Sequence, residues 1–241
     1  MGKPLEASEL NSQPWERFSS TQVIIAALNE EQGIGLTITE LQKNLCTPRV
    51  LVVDGNSVDR TVEFSKDLGV DVLLQDGVGK GNAIANALEN MDDNVQYVVM
   101  TDGDYTYPAE YVPAMIKILE RNSTVGMVCG NRLNGQVDSK ALHNRFYLGN
   151  RLLSFAHTLL NGVSLHDPLT GLRVIRADLL RDMTLKLKGF DIEVELNHLV
   201  ERRGYKTVEV PIRYRQRLGE KKLKMKHGAT ILKRILLETT R

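Results

Sequence analysis

Long apolar runs, cysteines and net charge are all scarce in this chain of 241 residues, and each shortage removes a class of protein. No run of about 18 apolar residues occurs, so no segment reads as a membrane-spanning helix, and Met1 to Ser20 lacks the apolar core of a signal peptide. The two cysteines, Cys46 and Cys129, lack the spacing of a zinc site or redox pair. The expectation is a reducing cytoplasmic compartment, with both thiols buried as small apolar groups. A net charge of +1 argues against a nucleic-acid partner, whose phosphates need a strong basic excess. The five histidines, His143, His157, His166, His198 and His227, show no HExxH spacing, and no Gly-x-Ser-x-Gly elbow is present. Histidine-based hydrolysis and serine acyl transfer are therefore poorly supported. What is present is ordinary: 42% hydrophobic and 25% charged residues, enough to bury a core and to exclude disorder, collagen and a disulfide scaffold.

The small net charge conceals an asymmetry. From Arg213 to Arg241 there are ten Lys and Arg (Arg213, Arg215, Arg217, Lys221, Lys222, Lys224, Lys226, Lys233, Arg234, Arg241) against Glu220 and Glu238. Removing these from totals of 31 and 30 leaves 21 basic and 28 acidic residues, a body at −7 with a tail at +8. In that tail Met225, Ile231, Leu232, Ile235, Leu236 and Leu237 alternate with cations. This amphipathic pattern suits either an anionic membrane face or packing against the chain's own domain.

Residues 1–20 read as a polar arm and residues 21–241 as one domain, without repeats or low-complexity linkers. Apolar runs of strand length (Gln22 to Leu28, Arg49 to Val53, Val70 to Leu74, Val95 to Thr101, Val125 to Cys129) alternate with helical patterns (to Leu45, Thr61 to Leu68, Gly81 to Met91, Ala109 to Glu120). Such alternation predicts an α/β fold with a mostly parallel, doubly wound sheet flanked by helices, and a ligand beyond the carboxyl ends of its strands. Further on, the pattern predicts a helix over Leu142 to Leu160 and a loop from His166 to Arg173 leading into a short strand. A helix from Ile192 to Arg203 and an edge strand from Lys206 to Tyr214, which tolerates Pro211, complete the pattern.

The loops after the first, second and fourth runs are acidic: Asn29-Glu30-Glu31, Asp54 to Asp59, and Asp102-Gly103-Asp104. Converging on one edge, they would repel one another unless a cation or donor-rich ligand lay between them. Asp102 and Asp104, one residue apart at a strand end, suit Mg²⁺ or Mn²⁺ holding a diphosphate. Gly77 to Gly81 is not a phosphate loop of Walker type, because Gly81 follows Lys80, but a glycine-rich helix start with a lysine can hold an anion. Gly33-Ile34-Gly35 reads as a loop. Arg132, Arg145, Arg151, Arg173 and Arg217 are candidates for a phosphate-bearing ligand, since guanidinium meets phosphate bidentately.

Taken in order, these segments resemble the family 2 glycosyltransferases of GT-A fold, and within them the dolichol-phosphate mannose or glucose synthases and archaeal polyprenyl-phosphate sugar synthases. Asn29-Glu30 resembles the end of Pro-x-x-Asn-Glu, with Ala26 at the proline position, and Asp54-Gly55-Asn56-Ser57-Val58-Asp59 is similar to the nucleotide loop. Gly79-Lys80-Gly81 resembles a segment of the glucosyl branch, and Asp102-Gly103-Asp104 the metal-binding Asp-x-Asp. Gly130-Asn131-Arg132 resembles Gly-Ser-Arg, Asp167 to Arg173 resembles Asp-x-x-Ser-Gly-Phe-Arg, and Arg217 to Leu223 resembles Arg-x-Gly-x-Ser-Lys-Leu. Thr106 stands where some mannose synthases carry a metal-binding Gln.

The resemblance implies inverting transfer of a hexose (mannose, glucose or N-acetylglucosamine) from a UDP- or GDP-linked sugar to dolichyl or polyprenyl phosphate. It places the donor on Ala27, Asn29, Glu30, Asp54, Ser57, Asp59, Lys80, Gly81, Asp102 and Gly103, and the metal on Asp102 and Asp104. Asp104, Arg132 and Arg217 would serve catalysis, while Arg132, Arg145, Arg217 and Lys222 would gather the acceptor phosphate. It further implies action at the cytoplasmic membrane face, with room for a membrane-anchoring partner. Two alternatives stand beside it: transfer to a glycan or soluble hydroxyl, with Asp167 or Asp191 as base, and a non-catalytic nucleotide-sugar sensor.

Overall fold

The structure, a computed structural model, describes residues 18–46, 48–133, 165–181, 189 and 192–220. The expected helix over Leu142 to Leu160, the amphipathic segment from Lys221, and Arg145, Arg151, Asp191 and Lys222 lie outside the described residues.

The first half follows the predicted alternation closely: β1 (Thr21–Ala27), α1 (Ile34–Leu45), β2 (Arg49–Asp54), α2 (Thr61–Asp67), β3 (Asp71–Leu74), α3 (Lys80–Glu89) and β4 (Tyr97–Asp102). A turn of 3₁₀ helix at Ala109–Tyr111 then leads into α4 (Val112–Arg121), with a proline in its first turn, followed by β5 (Val125–Asn131). After the undescribed stretch come β6 (Arg173–Arg176), α5 (Ile192–Arg202) and β7 (Lys206–Pro211).

Among the described residues one sheet runs in the order β3-β2-β1-β4-β6-β5-β7. Only β6 opposes the others, antiparallel to β4 and to β5, while β7 joins β5 in parallel at the edge where Pro211 is harmless. Side-chain alternation along β1 explains the layers. Val23, Ile25 and Ala27 face α1 and α4, meeting Ile34, Ile38, Leu41, Met115 and Leu119. Ile24 faces the other way, towards Ala83, Ile84 and Ala87 of α3 and Leu196 and Val200 of α5. Both faces are covered, which is why the central strands read as continuous apolar runs.

Two expectations are corrected. Gly33-Ile34-Gly35 is a helix start and not a loop, for Gly33 precedes the first residue of α1. A Cβ on Gly33 would stand 2.7 Å from the Gly103 carbonyl, so its bare Cα lets α1 approach the Asp102–Asp104 loop. Cys46 is exposed and not buried, because it ends α1 in the left-handed conformation at φ 47° and turns out of the helix.

Candidate active site

At the carboxyl ends of β1 and β2 the two acidic loops are laced together. Asp54, fully buried, accepts the Ser57 N–H at 2.8 Å and its hydroxyl at 2.5 Å, while Ser57 Oγ accepts the Asn29 N–H at 2.8 Å. Asn29 returns the contact by accepting from Val58 N–H at 2.8 Å. Asp59 caps the start of α2 through Thr61 and also accepts from Glu31 N–H at 3.1 Å, while Gly55 donates to the Ala27 carbonyl at 2.8 Å. The expected donor residues Ala27, Asn29, Asp54, Ser57 and Asp59 are thus brought into one patch. Their polar groups fix the loops, and Val58, 92% exposed, projects from it.

The Asp102–Asp104 loop lies beside this patch, and the charges the sequence left unbalanced are met from within the chain. Lys80, the first residue of α3, places its ammonium 2.6 Å from Asp102 and 2.8 Å from Glu193 of α5. Burial alone would lower the Lys80 pKa, but the two carboxylates outweigh it and hold the pKa above its ordinary value. Arg217 reaches Asp104 Oδ2 at 2.5 Å with one arm and Glu30 with the other. Asp104 Oδ1 accepts the Thr106 hydroxyl at 2.6 Å, so Thr106, at the position of the family's occasional Gln ligand, is bonded to Asp104. Burial and then Asp102 push the Asp104 carboxyl above the usual carboxylate range, with Arg217 and Thr106 pulling the other way. Gly81 donates its N–H to the Gly189 carbonyl at 3.1 Å.

Asp102 and Asp104 are hard oxygen donors, and no group of three His, Cys, Asp or Glu suited to a metal occurs among the described residues. Mg²⁺ is commonly held by one or two carboxylates completed by substrate phosphates and water, so the pair fits such an ion bound together with a diphosphate. The two internal cations already on these carboxylates mark where positive charge is held. Asp102 is also shaped from outside its loop, since a Cβ on Gly171 would stand 2.5 Å from Asp102 Oδ2.

A second arginine site stands nearby. Arg132 donates from Nε and NH2 to the two oxygens of buried Asp167, each at 2.7 Å, and its backbone N–H adds a third bond at 2.9 Å. Its remaining arm reaches the Tyr107 hydroxyl at 3.3 Å, and the guanidinium lies over the Tyr214 ring. The Tyr107 hydroxyl also accepts from Gly171 N–H at 2.7 Å, and burial raises its pKa. Glu209 of β7 holds the backbone N–H groups of His166 and Asp167 at 2.9 and 2.7 Å. Both oxygens of Asp167 are thus taken up by Arg132. Arg173 corrects another expectation: at 1% exposure it is an interior residue, with donors on the carbonyls of Thr170 and Pro168 and on Asn197. It fastens the loop carrying Asp167 and Gly171 to α5, with its donors used inside the chain.

Sequence reasoning missed Glu193, Tyr107 and the pair Glu40–Arg215. Glu193 left one signal, because it and Asn197 sit four residues apart among the buried positions of α5. A carboxylate there needs a buried cation. Tyr107 and Glu40 left none, since their partners lie far away in the chain.

The family model for glycosyl transferase family 2 matches residues 22–184. A dolichyl-phosphate hexose transferase of Haloferax volcanii is 34% identical over 207 residues, spanning 86% of this chain and 87% of that protein. An undecaprenyl-phosphate mannosyltransferase of Micrococcus luteus is 31% identical over 216 residues, spanning 83% and 86%. In three dimensions the chain resembles glucosyl-3-phosphoglycerate synthase from Mycobacterium tuberculosis in complex with Mn²⁺, UDP and phosphoglyceric acid. The TM-score is 0.71 at 18% identity, covering 100% of this chain and 83% of that one, a likeness that carries the GT-A fold. With strand ends, acidic rim and flanking helices on that fold, and with sequence likeness along most of its length, the chain belongs to glycosyl transferase family 2.

Proposed function

We propose that this glycosyltransferase moves a hexose from a nucleotide diphosphate sugar to dolichyl or polyprenyl phosphate with inversion at the anomeric carbon. The observation that carries the reading is the Asp102-Gly103-Asp104 loop. It lies at the carboxyl edge of the sheet, with Lys80 on one carboxylate and Arg217 on the other. A carboxylate pair balanced by cations suits a ligand that brings both charges, as a cation with a diphosphate does. The names of the two relatives above support the acceptor class.

Asp102 and Asp104 would hold Mg²⁺ or Mn²⁺, which when bound supplies Lewis-acid neutralisation of the departing diphosphate. The patch formed by Ala27, Asn29, Glu30, Asp54, Ser57 and Asp59 would hold the nucleoside, with Lys80, Gly81 and Gly103 at its border. Arg217 would donate to phosphate oxygens as charge builds on the leaving group. The arrangement supports Arg217 in this role more than Arg132, whose fork Asp167 fills. The acceptor phosphate is already anionic, so attack needs no strong base, consistent with His166 lying on Glu209 at the surface. Arg145 and Lys222, by resemblance, would add to the proposed phosphate site, and the basic segment from Arg213 onward would bring the chain to the cytoplasmic membrane face as one domain. No helix among the described residues is long and apolar enough to cross a membrane.

The test is a panel of radiolabelled GDP-mannose, UDP-glucose and UDP-N-acetylglucosamine with dolichyl phosphate and Mg²⁺ or Mn²⁺. One donor should yield label extractable into organic solvent. Asp104→Ala, folded by circular dichroism, should lower that product by roughly 10³-fold, the cost of losing a main electrostatic stabiliser. Full activity in that variant would remove the metal assignment.

A further inference from the structure

After β7 the chain crosses the Asp104–Thr106 loop as a strap. Arg215 N–H donates to the Thr106 carbonyl at 3.0 Å and Leu218 N–H to the Asp104 carbonyl at 3.2 Å. Two side-chain latches fasten it. The outer one is Arg215, bidentate to Glu40 of α1 at 2.6 and 2.7 Å and stacked over the Tyr105 ring at 4.3 Å. Tyr105 has a φ of 63°, rare for a bulky residue, and its N–H is held by Thr37 Oγ1 at 3.1 Å. The inner latch is Arg217, whose arms span buried Asp104 and buried Glu30 while its Nε is enclosed without a hydrogen-bond partner.

Both oxygens of Asp104 are engaged in this arrangement, Oδ1 by Thr106 and Oδ2 by Arg217. A divalent cation on Asp104 would share a carboxylate whose two oxygens each already accept a donor and would stand beside a guanidinium of like charge, so the two cations compete. Arg217 also carries an idle donor on a fork already suited to phosphate.

We propose that Arg217 is the internal counter-cation of the site and is exchanged when the donor binds. The incoming cation takes Asp104, and Arg217 passes from the carboxylates to the diphosphate, with Glu40 acting through Arg215 as the positioning residue for the strap. The proposal rests on reading Asp102 and Asp104 as the metal site. It makes binding of a bare cation weak and binding of a cation with nucleoside diphosphate strong, a coupling that must be reciprocal.

Mn²⁺ alone, titrated into the full chain and followed by the electron paramagnetic resonance signal of the free ion, tests it. Arg217→Gln should bind Mn²⁺ about tenfold more tightly than the parent, within the usual range of coupling between sites. Glu40→Gln, outside the site, should tighten binding by a smaller factor. Arg217→Lys, which keeps the charge, should remain near the parent. Addition of UDP or GDP should tighten Mn²⁺ binding in the parent and much less in Arg217→Gln. Equal or weaker Mn²⁺ binding in Arg217→Gln overturns the exchange. If Asp104→Asn nevertheless abolishes Mn²⁺ binding, the metal site stands without it. If Asp104→Asn binds Mn²⁺ as the parent does, the metal reading itself falls. An unchanged Glu40→Gln beside a tightened Arg217→Gln removes only the positioning role. Should Arg217→Gln fail to fold, the parent decides: Mn²⁺ binding that UDP or GDP leaves unchanged overturns the exchange.

Discussion

Arg132 and Arg217 occupy the same rim and both meet largely buried carboxylates, yet they differ in how their bonds are spent. Arg132 faces one carboxylate, Asp167, in a parallel fork closed by a backbone bond, a tyrosine hydroxyl and an aromatic face. Arg217 is divided between two carboxylates on different loops and keeps an unused Nε. A satisfied buried pair is a fastener, and breaking one side of it strands a charge. A divided guanidinium between two anions is a placeholder that a better-matched set of ligands can displace. Both arginines look alike in sequence, each two residues from a glycine, so the distinction lies in their partners.

The largest expected effect that separates them is on stability. Arg132→Gln should cost about 3–5 kcal/mol, as expected for removing one partner of a buried pair, and added Mn²⁺ should not restore its Tm. Arg217→Gln also leaves carboxylates unpaired, but millimolar Mn²⁺ should recover its Tm, because an ion that binds the folded state stabilises it. Recovery in both variants, or in neither, would erase the contrast.

A smaller effect lies in the pH profile. Because burial and Asp102 raise the Asp104 pKa, the carboxyl takes up its proton at a higher pH than an ordinary aspartate as the solution is acidified. The acid limb of kcat/KM should therefore lie above the usual aspartate range. In Arg217→Gln it should move higher still, since the guanidinium is one of the groups opposing that rise. An acid limb that stays in place, with activity measurable, would place the titration on another group.

The smallest effect repeats the contrast in the two thiols. Cys46 is exposed at the end of α1, whereas Cys129 in β5 is buried, and burial pushes its thiol up to about 11. Iodoacetamide at pH 8 should label Cys46 in the native protein and reach Cys129 only in denaturant.

The centre of the sheet was legible because its parallel strands are buried on both faces and so carry apolar runs, as Val23 to Ala27 and Tyr97 to Met100 do. β6 was legible as a strand but not as the reversed member between β4 and β5, because pairing partners 75 residues apart, such as Val99 and Val174, leave no local trace. The acidic loops could be picked out since each follows a strand, and ligand sites in such sheets collect there. Their internal cations could not: Arg217 and Glu30 stand 187 residues apart, and Arg215 and Glu40 175. Arg173 shows the opposite error, for a residue type suited to phosphate was drawn into the core by carbonyls of its own loop.

From the sequence alone came the element order of the fold's first half, the three acidic strand ends and the Asp-x-Asp pair, encoded in local strand and helix periodicity, and the family resemblance, carried by short ordered motifs. Only the tertiary structure decided which cation sits on which anion: Lys80 on Asp102 and Glu193, Arg132 on Asp167, Arg217 between Asp104 and Glu30. The reason is physical. A buried charge takes whichever partner the folded chain brings within a few ångströms, and that proximity is set by the packing of the whole sheet and its strap.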